Sequence, residues 1–424
     1  MKLSKSIAAS LLAASLTAAA GCSGSGDGGE AKQKEASGGA GQQQIKLEFL
    51  SNKADTVTTM DKIIKKFQEQ NKNIVIEQNA PPNMLKVLAM RFSTNEAPQL
   101  FHVYPSAPSF SQLLKDDNVQ EITGDPILQN VDPKFITFSQ NNGKNYAFPY
   151  ALEGYGVVYN PDMFKELNLE VPKTYAELIR VADKLKAAGK TPFLFADKEY
   201  TDLRRISAAM LALDDPNIIP FFQDVIAGKK HIADNPVFAK FIEKTLEMRK
   251  YAQKDLLGLS GDNAVREMAA GKAAMYFMGM WQAAAVKKAN PSMNVDMFVF
   301  PADKAEDAKV AMQVGTALAM PKGVKNQAEI KKFMEFFATT EMSQLYADET
   351  QNISVVKGVK HNSKETKVLA DMAAAGKIYR AADSPWTPAM QDDFGKATQE
   401  LIATGNKETY MKKLEDIFYN KAGK

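Results

Sequence analysis

From Ile45 onward the chain alternates short strand-like runs with amphipathic helical segments, and this alternation restricts its possible folds more than any other feature. In "IKLEFL" (Ile45–Leu50) apolar and polar residues alternate with the period of a strand. Met60, Ile63, Ile64 and Phe67 then recur at i, i+3, i+4 and i+7, which places them on one helix face. Ile74 to Ile76 return to a strand. In "PKTYAELIRVADKLKAAGK" the pattern predicts a helix with Thr174 and Glu177 as its capping box, Leu178 and Leu185 on one face, and Gly189 at its end. "AAMYFMGMWQAAAV" (Ala273–Val286) is too short to cross a bilayer and predicts a strand, a turn and a helix. Strand–helix–strand order implies an α/β fold of mainly parallel sheets with helices on both faces. Ligands of such sheets settle beyond the carboxyl ends of the strands. About 380 residues follow position 44, more than one small core needs and enough for two lobes.

The segment before Ile45 reads differently. Lys2 and Lys5 precede an apolar stretch from Ile7 to Ala20, shorter than the roughly 20 residues of a membrane-spanning helix. A basic start, a short apolar middle and small residues at the end predict a secretory signal over residues 1–21. "AAGC" ends at Cys22, the only cysteine, and resembles the lipobox of bacterial lipoproteins, although Ala19 stands where that pattern prefers leucine. An ordinary signal cut elsewhere is the competing account. Residues 22–44 then form a lipidated cysteine and a glycine-rich tether, with nothing large enough to bury. Its random-coil span is about 25 Å. Cys22 is therefore expected to be a lipid anchor at the outer face of a cell membrane.

With 53 basic and 50 acidic residues the charge is nearly balanced, and no basic block marks a nucleic-acid partner. Catalytic signatures are missing from the sequence. The three histidines, His102, His231 and His361, are far apart and have no metal-ligand spacing. No GxSxG elbow, SxxK or phosphate loop occurs, and "GDNAVREMAAGK" lacks the earlier glycine and the final hydroxyl residue of such a loop. The sequence thus predicts no cofactor and no enzyme, while a carboxylate pair able to cleave glycosides would be a matter of three-dimensional spacing.

Aromatic residues at element ends stand out instead. An indole offers an apolar plane to the C–H face of a sugar, while neighbouring groups bond its hydroxyls. Trp281 falls where a strand-like run ends and a helix begins, so a strand's carboxyl end would present it to a cleft. Trp386, in "SPWTP", lies between two prolines in a polar loop, poorly placed for a core.

The stretch from Pro149 to Pro192, beginning "PYALEGYGVVYNPDMF", resembles the extracellular solute-binding proteins of sugar-importing ABC transporters, the family that includes the maltose-binding protein. "APQLFHVYPS" (Ala97–Ser106), "MAAGKAAMYFMGMW" and the residues after it to Ala302, and "VGTALAMPKGV" through Val359 are similar to the family in the same order. Gln99 departs from it, since an aspartate is common there. The resemblance implies two α/β lobes joined by three hinge crossings, near Glu153, near Gly315, and near Ile353 and Ser354. Lobe one would comprise 45–152 plus 315–352, and lobe two 154–313 plus 355–424.

It also implies a carbohydrate held between the lobes, delivery to permease subunits, and a monomeric receptor. Glu153 matches an acidic hinge residue that bonds sugar hydroxyls, with an exposed hinge carboxylate as the other reading. Tyr155 shares its strand face and could equally be plain core. Tyr200 matches an aromatic platform position. Tyr104 and Ser106 fall at the end of the strand after Pro98, Asn52 and Lys53 just after the first strand, and Gln351 beside the third crossing. Asp202 and Arg204 could hold a polar ligand, and a surface salt bridge is the blander account. The same fold binding a non-sugar solute, a lipoprotein hydrolase acting on polysaccharide, and a scaffold without a small ligand are the rival readings.

Overall fold

The computed structural model describes residues 44–51 and 56–420. The signal segment, Cys22, the tether up to residue 43, and Asn52 and Lys53 lie outside the described residues. Twelve strands occur among the described residues: β1 (Ile45–Leu50), β2 (Ile74–Asn79), β3 (Leu100–Val103), β4 (Gln140–Asn141), β5 (Lys144–Asn145), β6 (Phe148–Tyr159), β7 (Thr191–Leu194), β8 (Ala273–Gly279), β9 (Asp296–Phe298), β10 (Val310–Ala319), β11 (Ile353–Ser354) and β12 (Ile378–Tyr379). β4 and β5 pair only with each other. The other ten form one sheet whose path is β2-β1-β3-β10-β6-β8-β7, with β9 and β11 on β6 and β12 on β10.

The sheet is mixed. β1 runs parallel to β2 and β3, and β7 runs parallel to β8. The middle is antiparallel, because β6 and β10 run in opposite directions and set the sense of what pairs with them. Every residue of β6 and β8 is buried, so both read as nearly continuous apolar runs. The half-covered β1 keeps its alternation at its start.

The expected helices form for the expected reasons. The Val57–Gln70 helix buries Met60, Ile63, Ile64 and Phe67, and Phe67 meets the rings of Phe333 and Phe336 at 5.3 and 5.5 Å. At the Tyr175–Ala187 helix, Thr174 accepts from the Glu177 N–H at 3.2 Å, while the Glu177 carboxylate accepts from Lys173 N–H at 2.7 Å. The capping box is thus shifted by one residue on its return arm. Gly189, at φ +72°, ends that helix in the left-handed region. Gln99, just before β3, accepts from the Glu48 N–H at 2.7 Å.

The three stretches singled out as crossings lie side by side. Leu152 of β6 is opposite Val314 of β10 and Ile353 of β11, and Ala151 is opposite Thr316 and Ser354. The β6–β10 register shifts between Val314 and Thr316, which leaves Gly315 as an unpaired bulge residue.

Candidate functional site

A cavity of about 630 Å³ opens at this level of the sheet. Its wall comes from strand ends and the turns that follow them. Tyr104 and Ser106 follow β3, Glu153 and Tyr155 belong to β6, Gln313 to β10, and Trp281 follows β8. Arg204 and Arg205 reach it from the Tyr200–Asp214 helix, and Arg380 and Asp383 from the segment after β12.

Register and glycine together set the geometry. Glu153 and Gln313 are direct cross-strand partners, and Tyr155 lies two residues along β6 on the same face. The Gln313 amide Nε2 donates to the Tyr155 hydroxyl at 3.4 Å. The Tyr155 and Trp281 rings meet edge to face, with centroids 5.7 Å apart at 78°. Trp281 folds back over Gly279, where an added Cβ would stand 2.0 Å from a ring carbon. Glu153 lies over Gly315 in the same way, 2.2 Å from Cγ. Two bare backbone positions therefore seat the two side chains best suited to a hydroxylated ligand.

Electrostatics keep the wall polar without making it strongly charged. Burial pushes the Tyr155 phenol above its ordinary value, so it stays a neutral hydroxyl. Burial works against the Arg205 charge, but Tyr155, Asp202, Tyr104 and Glu153 outweigh it and hold its guanidinium above its ordinary value. Arg205 pairs with Asp202 at 2.7 Å, and Arg204 pairs with Asp383. Asp202 and Arg204 thus each form an ion pair, but not with one another, and Arg204 also faces the cavity.

Trp281, Glu153, Tyr155, Tyr104 and Ser106, five of the residues picked from the sequence, are brought to one cavity. Glu153 is only 5 % exposed, which overturns the exposed-carboxylate reading. Gly315 lies beneath Glu153 and beside the lining residue Val314.

The expectation that Trp386 is poorly placed for a core is corrected. Its ring is 1 % exposed and packs on Phe222, Phe394 and Phe418 at 4.7 to 4.9 Å. A second cavity of about 790 Å³ runs along Ser384–Pro388, yet the indole presents almost no surface to it. Proline-flanked backbone said nothing of where the ring would turn. Tyr200 stays outside the first cavity as well: its backbone and ring crowd Gly395, and the Lys396 ammonium stands 5.2 Å from its ring. Gln351 ends the Thr340–Thr350 helix at φ +58° and accepts from Ser363 Oγ at 3.5 Å, again away from the cavity.

Sequence reasoning missed Gln313, Arg205, Arg380, Gln282 and Gln391, which also line the wall. Gln313 had a signal, being two residues before Gly315 in "QVGTA". The arginines had none, since they sit in ordinary helical and loop contexts. Among the described residues no group of His, Cys, Asp and Glu could hold a metal ion. Ser51 Oγ and His102 Nδ1 do lie 2.9 Å apart, but both are buried and Tyr150 occupies the other ring nitrogen, so the pair is a core network.

The chain belongs to the bacterial extracellular solute-binding proteins, whose family model matches residues 51–344. It is 26 % identical over 374 residues to the multiple sugar-binding protein of Streptococcus mutans, covering 86 % of this chain and 88 % of that one. Against the melibiose/raffinose/stachyose-binding protein MelE of Bacillus subtilis the identity is 22 %, with 81 % and 82 % covered. RafE from Streptococcus pneumoniae in its apo form superposes with a TM-score of 0.80 at 22 % identity, over 90 % of this chain and 99 % of that one. RafE in complex with raffinose gives 0.79 over 90 % and 100 %. The fold is that of the two-lobed solute-binding proteins, and the family and its fold are those of binding proteins of ABC transporters, not of enzymes.

Proposed function

We propose that the protein captures a sugar or oligosaccharide outside the cell and passes it unchanged to the permease of an ABC importer. The observation that carries this reading is the cavity in which one indole, one phenol, a buried carboxylate and an amide converge: Trp281, Tyr155, Glu153 and Gln313. The rings suit the apolar face of a sugar and the polar atoms suit its hydroxyls, and a buried partner left unpaired costs about 1–3 kcal/mol, which gives selectivity. Relatives named for multiple sugars, melibiose, raffinose and stachyose support the class of ligand.

In this reading two lobes, 45–152 plus 315–352 and 154–313 plus 355–424, close on the ligand because only the closed form lets it touch both. The juxtaposition of Leu152, Val314 and Ile353 supports that division. Acylated Cys22 and the tether would hold a monomeric receptor at the membrane. A thermal-shift screen over mono- and oligosaccharides tests the proposal. A ligand at 100 times its dissociation constant should stabilise the fold by about 2.7 kcal/mol. Trp281→Ala should erase that gain, and a variant that kept full affinity for the hit would overturn the site.

A further inference from the structure

We infer that the saccharide carries a carboxylate, read by Arg380. This rests on the sugar-binding reading above and narrows its substrate class. Three arginines line the cavity, and two of them are already matched: Arg204 by Asp383 and Arg205 by Asp202. Among the described residues Arg380 has no carboxylate within ion-pair distance. Its Nη2 donates to the backbone carbonyl of Thr137 at 3.0 Å, and its guanidinium lies 5.1 Å from the centroid of the Phe138 ring, another lining residue. One edge and one face are thereby held, while the remaining N–H groups are left for a ligand.

The cavity does contain acids, namely Glu153, Asp262 and Asp383. None of them forms an ion pair with Arg380, and of the acids in the neighbouring cavity that Arg380 also borders, Asp214 and Asp303 are taken by Lys240 and Lys244. Burial holds its guanidinium below its ordinary value. A half-buried cation with a fixed plane and no counter-charge is costly to keep, and a carboxylate in that plane would offset the cost through two parallel charge-assisted hydrogen bonds. A second positive element borders the same space. The Pro108–Lys115 helix starts there, with no capping side chain and no acid in its first turn, and Ala107 to Ser109 face the cavity. The neutral part of the ligand would then lie against Trp281 and Tyr155, with its acid directed away from Glu153.

The test compares trigalacturonate, its methyl ester and raffinose by calorimetric titration of the full chain at low and moderate salt. The free acid should bind about ten-fold or more tightly than the ester, as one charge-assisted pair allows. That preference should shrink with salt and disappear in Arg380→Gln. Equal binding of acid and ester by the unaltered chain, or raffinose bound more tightly than either, would overturn this inference while leaving sugar capture intact. If no saccharide of either kind bound, sugar capture itself would fall. The acid–ester comparison needs no variant, so a misfolded Arg380→Gln protein could not obscure it.

Discussion

Trp281 and Trp386, the two tryptophans of the chain, pose the same question and receive different answers. Both follow turns, Trp281 after Met280 and Trp386 after Pro385. Trp281 is half-buried on bare Gly279 and presents its ring to a space shared with Glu153, Tyr155 and Gln313. Trp386 is sealed among Phe222, Phe418 and, from the helix that follows it, Phe394. Trp281 keeps a face open because Gly279 puts no side chain beneath it and only the edge of Tyr155 meets it. Trp386 has three rings around it, and the core takes it.

The contrast breaks most readily at Trp386. Trp386→Ala should cost about 3–5 kcal/mol of folding stability, as large-to-small aromatic changes in cores do, and should lower the melting temperature accordingly. A loss below about 1 kcal/mol would mean that the ring is not in the core. Trp281→Ala should do the reverse: a modest change in the ligand-free melting temperature, and loss of the roughly 2.7 kcal/mol gained with saturating saccharide. If the two variants behaved alike, the distinction would not hold.

Gly315→Ala sharpens the comparison at the other bare backbone position. The new methyl would occupy the place of the Glu153 side chain and push the carboxylate aside, lowering saccharide affinity by about 1–3 kcal/mol, measured by titration. Unchanged affinity would remove Glu153 from the site.

The smallest effect is in acid stability, and it arises away from the cavity. Burial holds the His361 imidazole below its ordinary value of 6.5, so on acidification the unfolded chain takes up a proton before the folded one. Stability is therefore full above that value and falls as pH drops through it toward the folded value. Glu48, held below 4.5 by its hydrogen bonds to Arg91, adds a second loss at lower pH. Melting temperatures across pH 8 to 3 should fall in these two windows, and His361→Gln should flatten the upper one.

Much of the architecture was legible because it follows from local periodicity. The faces of the Val57–Gln70 and Tyr175–Ala187 helices, and the strand–turn–helix at Ala273–Ala289, needed no distant information. The site was legible only in part. Glu153 and Tyr155 could be paired from strand alternation, and Trp281 from its place at a strand end. Trp386, Tyr200 and Gln351 could not be placed, because their positions depend on Phe222, Gly395 and Ser363, which a local pattern does not bring near. Arg205 and Arg380 entered the wall through the packing of whole elements, which leaves no local trace. The antiparallel middle of the sheet was equally hidden, since alternation tells that a strand exists and not which way its neighbour runs.

The unpaired residue at Gly315 has a mechanical consequence. Where the ladder already lacks a rung, flexing breaks fewer backbone bonds than it would a few residues to either side. Glu153 rests directly on that weak point. In a closing receptor, a hydroxyl grasped by this carboxylate would pull on the pivot through a lever one side chain long, so that occupancy and bending would be sensed at a single place in the chain.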